Sequence, residues 1–344
     1  MSTVTITDVA KRAGVSVATI SRYLSGFTVR NAEEIRDVIN ELNYRPSAAA
    51  RNLKSGRTGI IAIVVPDITN PFFASIVEGA ESAVGDDRMV LLVNTGAVRE
   101  REEKALGQLF GRVDGVIMAP STEDEIAPAF FSQFGLPIVF VDRVTQDCER
   151  FSSVLAENEK GAQLATEHLI GHGHRLIAMI AGPQSATPGK RRVDGFRQAM
   201  KNAHLEVSEE FLIDGDFTEA GGYQAMKHLL SLATPPTAIV TANNLMTIGA
   251  LHALREADVS IPDQVSIIGF DDLDFAKLIN PPISVISRDA RLQGSQAMEL
   301  MIRQLNGGSA TQPEHSMVDV HLVERGSCAP PREPQKIRSN NVGE

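Results

Sequence analysis

From Thr58 to about residue 327 the chain alternates two patterns. Short, continuous apolar runs of strand length are separated by amphipathic stretches with helical period. The runs are "GIIAIVVPD", "RMVLLVN", "DGVIMAP", "PIVFVD", "RLIAMIAG", "TAIVTAN", "VSIIGFDD" and "ISVIS". Such alternation predicts parallel sheets covered by helices on both faces. The strands are too many for one small doubly wound unit. Residues 58–327 are therefore read as an α/β body of two doubly wound parallel-sheet subdomains.

The first 45 residues carry helical period only. Thr5 and Asp8 form a capping box, and Val9, Ala10 and Ala13 recur as an apolar stripe. Gly14 stands where a helix stops with positive φ. Val15 turns inward, and Ser16 can cap a second helix over Val17–Leu24, with Ile20 and Leu24 on one face. Asn31 and Glu34 open a third, whose Ile35, Val38, Ile39 and Leu42 fall at i, i+3, i+4, i+7. Three short helices around one small centre, with a tight turn between the first two, predict a helix-turn-helix head over residues 1–45.

Between head and body, Pro46 blocks continuation of the third helix and Ser47 can start another. It would end near Lys54, before Ser55-Gly56. A helix of fewer than about 12 residues is marginal without a partner. Residues 46–57 are thus expected to order conditionally, with Leu53 as an apolar side chain between Arg51 and Lys54. The polar, proline-bearing tail, 328–344, is expected to be disordered.

Charge changes this picture. The 344 residues carry a net charge of −10, yet residues 1–60 hold 9 Lys/Arg against 5 Asp/Glu. A basic head on an acidic body points to polyanion contact through the head. No apolar run approaches the ~20 residues of a membrane span, and polar "MSTVTITDVAKR" is unlike a signal peptide, so a cytoplasmic location is expected. Cys148 and Cys328 are read as free thiols. No P-loop, G-x-G-x-x-G or G-x-S-x-G occurs, and neither a cofactor nor catalysis is expected. His168 and His172 have metal-ligand spacing, but Gly171 and Gly173 are expected to break the helix that this spacing needs; with His174 they read as a turn into a strand, and no metal site is expected.

In open α/β sheets, ligands sit beyond the carboxyl ends of strands. Asn70, Phe72 and Phe73 follow the first run; Asp142, Asn243 and Asp271 close later ones; Arg192 starts a helix after "RLIAMIAG". Carboxylates, an amide, an arginine and aromatic faces suit a polyhydroxylated ligand. Each Asp or Asn taken singly is also an ordinary helix cap; it is their joint location that points to a cleft.

"TITDVAKRAGVSVATISRYLSG" followed by "LNYRPSAAARNLKSGRTG" resembles the head of LacI/GalR-type transcriptional regulators. The resemblance implies a recognition helix in the major groove of double-stranded DNA, with Val17, Ala18 and Arg22 at base-reading positions. Arg22 can fork onto a guanine edge, whereas Val17 and Ala18 offer apolar contact. Thr5, Ser16 and Ser21 would hold phosphates. Residues 46–57 look like the family's hinge helix, with Leu53 wedged between base pairs and Ala50 and Lys54 in the minor groove. A homodimer on a pseudo-palindromic operator is implied, with ligand most often causing release.

The body is similar to periplasmic sugar-binding proteins, and Asn70, Phe72, Phe73, Asp142, Arg192, Asn243 and Asp271 match their cleft positions. Two residues depart from the pattern. Asn244 stands for the usual aspartate and is expected to alter a cap. Arg288 stands for the usual glutamine; with Arg192 it hints at a sugar acid or sugar phosphate, unless it bridges a carboxylate. A periplasmic-type sugar receptor without a DNA role is the rival reading, and the head argues against it.

Overall fold

The computed structural model describes residues 4–24, 26–45, 57–121, 123, 135–145, 148–307 and 312–331. They form two compact units, divided at Gly59.

In the head, α1 (Ile6–Arg12), α2 (Val17–Leu24) and α3 (Ala32–Glu41) share one core. The Thr5 amide donates to Asp8 Oδ2 (2.9 Å) and the Asp8 amide to Thr5 Oγ1 (3.4 Å), a closed capping box. Gly14, at φ +65°, turns the chain so that Val15 N–H reaches the Ala10 carbonyl. Ser16 Oγ then caps α2 through the Thr19 amide (3.1 Å). Asn31 departs from expectation, because its amide donates to Glu34 Oε2 instead of capping α3. Val9, Ala10, Ala13, Ile20, Ile35 and Val38 fill the centre. Arg12 and Glu41 pair at 2.8 Å across α1 and α3.

The body has two lobes. The first sheet has the order β11-β5-β4-β3-β1-β2, all parallel: β1 Ile60–Val65, β2 Met89–Asn94, β3 Gly115–Met118, β4 Ile138–Val141, β5 Ser152–Ala156 and β11 His315–Val318. Its helices are α4 (Pro71–Ala83), α5 (Arg99–Leu109) and α11 (Ala290–Gly307). The second sheet runs β12-β10-β9-β8-β6-β7: β6 Ile177–Ala181, β7 Leu212–Asp214, β8 Ala238–Thr241, β9 Ser266–Phe270, β10 Ser284–Arg288 and β12 Val320–Val323. Only β12 is antiparallel, against β10. Its helices are α6 (Asn158–Gly171), α7 (Thr187–Asn202), α8 (Glu219–Ser231), α9 (Asn244–Glu256) and α10 (Asp274–Leu278).

The chain crosses between lobes near residues 157, 289 and 319, so neither lobe is one continuous stretch. The last two crossings carry α11 and β11 back to the first lobe and return β12 to the second. α4 and α11 meet at backbone distance, where a Cβ on Gly79 or Gly294 would strike the opposing carbonyl. The central strands are buried on both faces, as parallel sheets between helix layers require.

The packed body continues past residue 327. The Ala329 amide donates to Ser266 Oγ (3.1 Å), and the Ala329 carbonyl accepts from His174 Nε2 (2.9 Å). Cys328 and Ala329 thus bond at the amino-terminal end of the second sheet, beside the start of β9, correcting the expectation that the disordered tail begins at 328. Burial pushes the Cys328 thiol up to about 11, leaving it protonated and inert; the side chain of Cys148 lies outside what is described. No helix among the described residues is long and apolar enough to cross a membrane.

Candidate functional site

α2 turns one side into the head core through Ile20, which is fully buried. Its other side is open: Val17 is 42% exposed, and Ala18 and Arg22 are exposed with it. The Arg22 guanidinium lies 5.9 Å from the Phe27 ring centroid, a loose cation–π contact that leaves the fork available. The Thr5 and Ser16 hydroxyls are engaged in caps, Thr5 Oγ1 with Asp8 Oδ2 (2.8 Å) and Ser16 Oγ with Thr19 Oγ1 (2.9 Å). Ser21 is half-buried. Ala50, Leu53 and Lys54 lie outside the described residues.

Between the lobes of the body, beyond the carboxyl ends of both sheets, lies a cleft of about 360 Å³. Asn70, Phe72, Phe73, Asp142, Arg192, Asn243, Asp271 and Arg288 all line it. Asp142 follows β4 at φ +64° and Asp271 follows β9 at φ +72°. Both turn into the left-handed region, uncommon for residues other than glycine, and their carboxylates face each other across the cleft.

Arg288, the last residue of β10, lies between them. Its Nη1 donates to Asp142 Oδ1 (2.6 Å) and its Nε to Asp271 Oδ1 (2.7 Å). All three side chains are nearly solvent-free. Burial works against the guanidinium's charge, but Asp271 and then Asp142 outweigh it and raise the pKa above its ordinary value. The guanidinium also stacks 3.8 Å from the Phe72 ring centroid. Asp142 belongs to one lobe and Asp271 to the other, so Arg288 clasps the lobes together. The bridging alternative applies, and the pairing of Arg288 with Arg192 as two free forks is corrected.

Arg192 is the second buried cation. Its carbon Cζ lies 3.6 Å above the Phe270 ring, Nε donates to Asn158 Oδ1 (2.8 Å), and Nη1 donates to the Ala242 carbonyl. Loss of solvent, then the charge of Arg288, lowers its pKa to about 9, still above neutrality. Its Nη2 makes no hydrogen bond among the described residues, and neither does Nε of Arg143, which has only a longer ion-pair contact with Asp142 Oδ2 (3.8 Å). Two buried N–H donors at a cleft wall need acceptors.

The amides have structural work as well. Asn70 Oδ1 caps α4 through the Phe72 amide (3.0 Å) and accepts from Asn244 Nδ2 (2.8 Å). Asn244 therefore spans the lobes, correcting its reading as a mere cap. Asn243 caps α9 through the Met246 amide (2.8 Å) and holds the Phe217 carbonyl (3.0 Å), so its cap reading and its cleft position coincide. Phe72 and Phe73 meet edge-to-face at 5.1 Å, both in the first lobe's core. Glu123 accepts from the Thr187 amide at the start of α7 (2.6 Å); burial raises its carboxyl to about 6.

Sequence reasoning missed Arg143 and Phe217. Both line the cleft, with the Arg143 guanidinium 5.7 Å from the Phe217 ring. Arg143 directly follows Asp142, a usable signal; Phe217, at φ +59° in an irregular turn, had none.

The model of bacterial regulatory proteins of the lacI family matches residues 5–47, and that of the periplasmic binding protein-like domain matches residues 166–328. The ribose operon repressor of Escherichia coli (strain K12) is 33% identical over 331 residues, covering 94% of this chain and 99% of the relative. The chain belongs to the LacI family. Among solved structures, a Lac repressor dimer bound to operator and the anti-inducer ONPF aligns with a TM-score of 0.85 at 26% identity, covering 95% of this chain and 100% of that one. A complex of the transcriptional regulator CelR with cellobiose aligns at 0.73 and 32%, covering 94% and 99%. This LacI-family protein is a DNA-binding transcriptional regulator, and the reading as a receptor without a DNA role falls away. The LacI family consists of regulators, not enzymes.

Proposed function

We propose that the protein represses transcription from the cytoplasm as a homodimer on a pseudo-palindromic operator, and that a sugar-like effector in the interlobe cleft releases it. The observation that carries the DNA half is the α2 face, where Val17, Ala18 and Arg22 stand clear of a core anchored by Ile20. Arg22 reads a guanine edge while Val17 and Ala18 take apolar base surface. Thr5, Ser16 and Ser21 set register on phosphates. A two-fold dimer puts one head on each half-site. Residues 46–57 act as the hinge, with Leu53 as wedge and Ala50 and Lys54 in the minor groove; any change that separates the two hinges removes the wedge.

In the cleft, Arg192 Nη2 and Arg143 Nε donate to effector oxygens, and Phe73 and Phe217 supply apolar wall. Because Arg288 is neutralised by its own carboxylates, a small neutral sugar is the first reading. The donors on two other arginines that make no hydrogen bond among the described residues favour, as a second reading, a sugar carrying carboxylate or phosphate.

The DNA half is tested by selecting binding sites for the full-length chain from random duplexes. A symmetric site is expected, and Arg22→Ala weakens it by about 1–3 kcal/mol while sparing unrelated DNA. Recovery of no symmetric site, or equal loss on unrelated duplex, contradicts the reading.

A further inference from the structure

The reason for expecting no metal at the histidine cluster does not survive in the fold. α6 runs unbroken through Gly171, and His172, its C-cap, keeps helical dihedrals of φ −73° and ψ −4°. The helix ends one residue later, at Gly173, where φ is +94° and His174 N–H returns to the Leu169 carbonyl. His172 therefore stands one turn above His168, on the same face. The two rings are 4.7 Å apart, edge to face.

Glu324, directly after the antiparallel edge strand β12, completes the group. One ligand atom each from His168, His172 and Glu324 lies within 4.8 Å of the others. Nε2 of His168 is buried and has no hydrogen-bond partner among the described residues. A buried imidazole nitrogen left without a partner is uncommon and needs a reason. Two imidazoles on adjacent helical turns and one carboxylate are a donor set for a borderline transition ion, with a remaining position for water. Bonds of about 2.0–2.2 Å to such an ion would need the three atoms drawn only modestly closer than they stand. Calcium and magnesium, which take oxygen ligands, do not suit it.

We propose that His168, His172 and Glu324 form a zinc-class divalent metal site on the outer face of the second lobe. The ion fastens the C-terminal end of α6 to the segment that leaves β12. That segment follows the third crossing between the lobes, so the bond ties the chain's last return into the lobe that holds it. α6 begins at Asn158, which bonds Arg192 in the cleft, so the site and the cleft lie at opposite ends of one helix.

The test uses the tag-free, full-length protein stripped with chelator and titrated with zinc chloride, cobalt chloride and magnesium chloride. One zinc per chain is expected with micromolar or tighter affinity. Cobalt should give visible absorption of a four- or five-coordinate ion, magnesium no response, and zinc a rise in Tm of several degrees (~3 °C or more). His172→Ala and Glu324→Gln, both changes at partly solvent-facing side chains, should each weaken zinc at least tenfold (~1.4 kcal/mol). No zinc uptake below about 100 µM, or uptake unchanged by both substitutions, overturns the proposal.

Discussion

At the scale of single residues, Arg288 sets the character of the cleft. A guanidinium between two carboxylates from opposite lobes is a buried ion triad, and its value lies in what happens when one member is removed. Arg288→Ala removes the cation that Asp142 and Asp271 share and leaves Asp142 only the longer contact with Arg143 (3.8 Å), so unfolding titrations should show a loss of about 3–5 kcal/mol. Arg288→Gln, which keeps hydrogen bonds but removes the charge, should lose less. A loss under about 1 kcal/mol in the alanine variant would mean that the clasp contributes nothing net. The triad also explains where residue-by-residue reading fell short. That Arg288 is cationic was plain from its letter, but its partners lie 146 and 17 positions away, and only the folded strand ends bring them to it.

Among elements, the C-terminal segment is latched to the second sheet by His174. Its Nε2–H donates to the Ala329 carbonyl, and Nδ1 lies 2.8 Å from the Thr237 hydroxyl, so both ring nitrogens are engaged. Burial lowers its pKa below the ordinary value, the Ala329 bond opposes that, and His172 adds to it. The unfolded chain therefore takes up this proton first. The latch is complete above the ordinary histidine pKa near 6.5, and its contribution drains away as the pH falls from there towards the folded value. Urea titrations at pH 7.5 and pH 5 should show a smaller acid loss for His174→Gln than for the parent chain; an equal loss would show that the latch does not titrate.

Elements also divide what the sequence discloses from what it hides. The long apolar runs were legible because burial on both faces demands uninterrupted apolar residues, as in "IIAIVV" of β1 and "IVFV" of β4. β5, β7, β11 and β12 were not legible: "SSVLA" is half serine-flanked, "LID" has three residues, and "HSMV" and "VHLV" lie at sheet edges with mixed polarity. The lobes to which β11 and β12 belong are decided by crossings between lobes, which no local period records. Gly171 misled in the opposite direction, since one glycine near a helix end costs only about 1 kcal/mol and packing overrides it.

At the scale of the molecule, a helical head with 6 Lys/Arg against 5 Asp/Glu over residues 1–45 and an acidic, two-lobed body are joined by a basic segment, residues 46–57, through which the proposed control of the head would pass. The cleft residues were legible because ligand chemistry gathers at strand ends in open sheets, so Asn70, Asp142, Asn243 and Asp271 could be read in order along the chain. Arg143 could have been read from its place directly after Asp142, whereas Phe217, in irregular backbone, became visible only once the two lobes were assembled. If the cleft governs the head, its occupant must bind the operator-free form better than the operator-bound form. The most direct test is operator affinity of the full-length dimer, measured by fluorescence anisotropy across a panel of neutral sugars, sugar acids and sugar phosphates. At least one compound is predicted to weaken operator binding tenfold or more (~1.4 kcal/mol), and Arg192→Lys to abolish that response while leaving effector-free affinity unchanged. Operator affinity that no compound alters, or a response that persists undiminished in Arg192→Lys, would contradict the account.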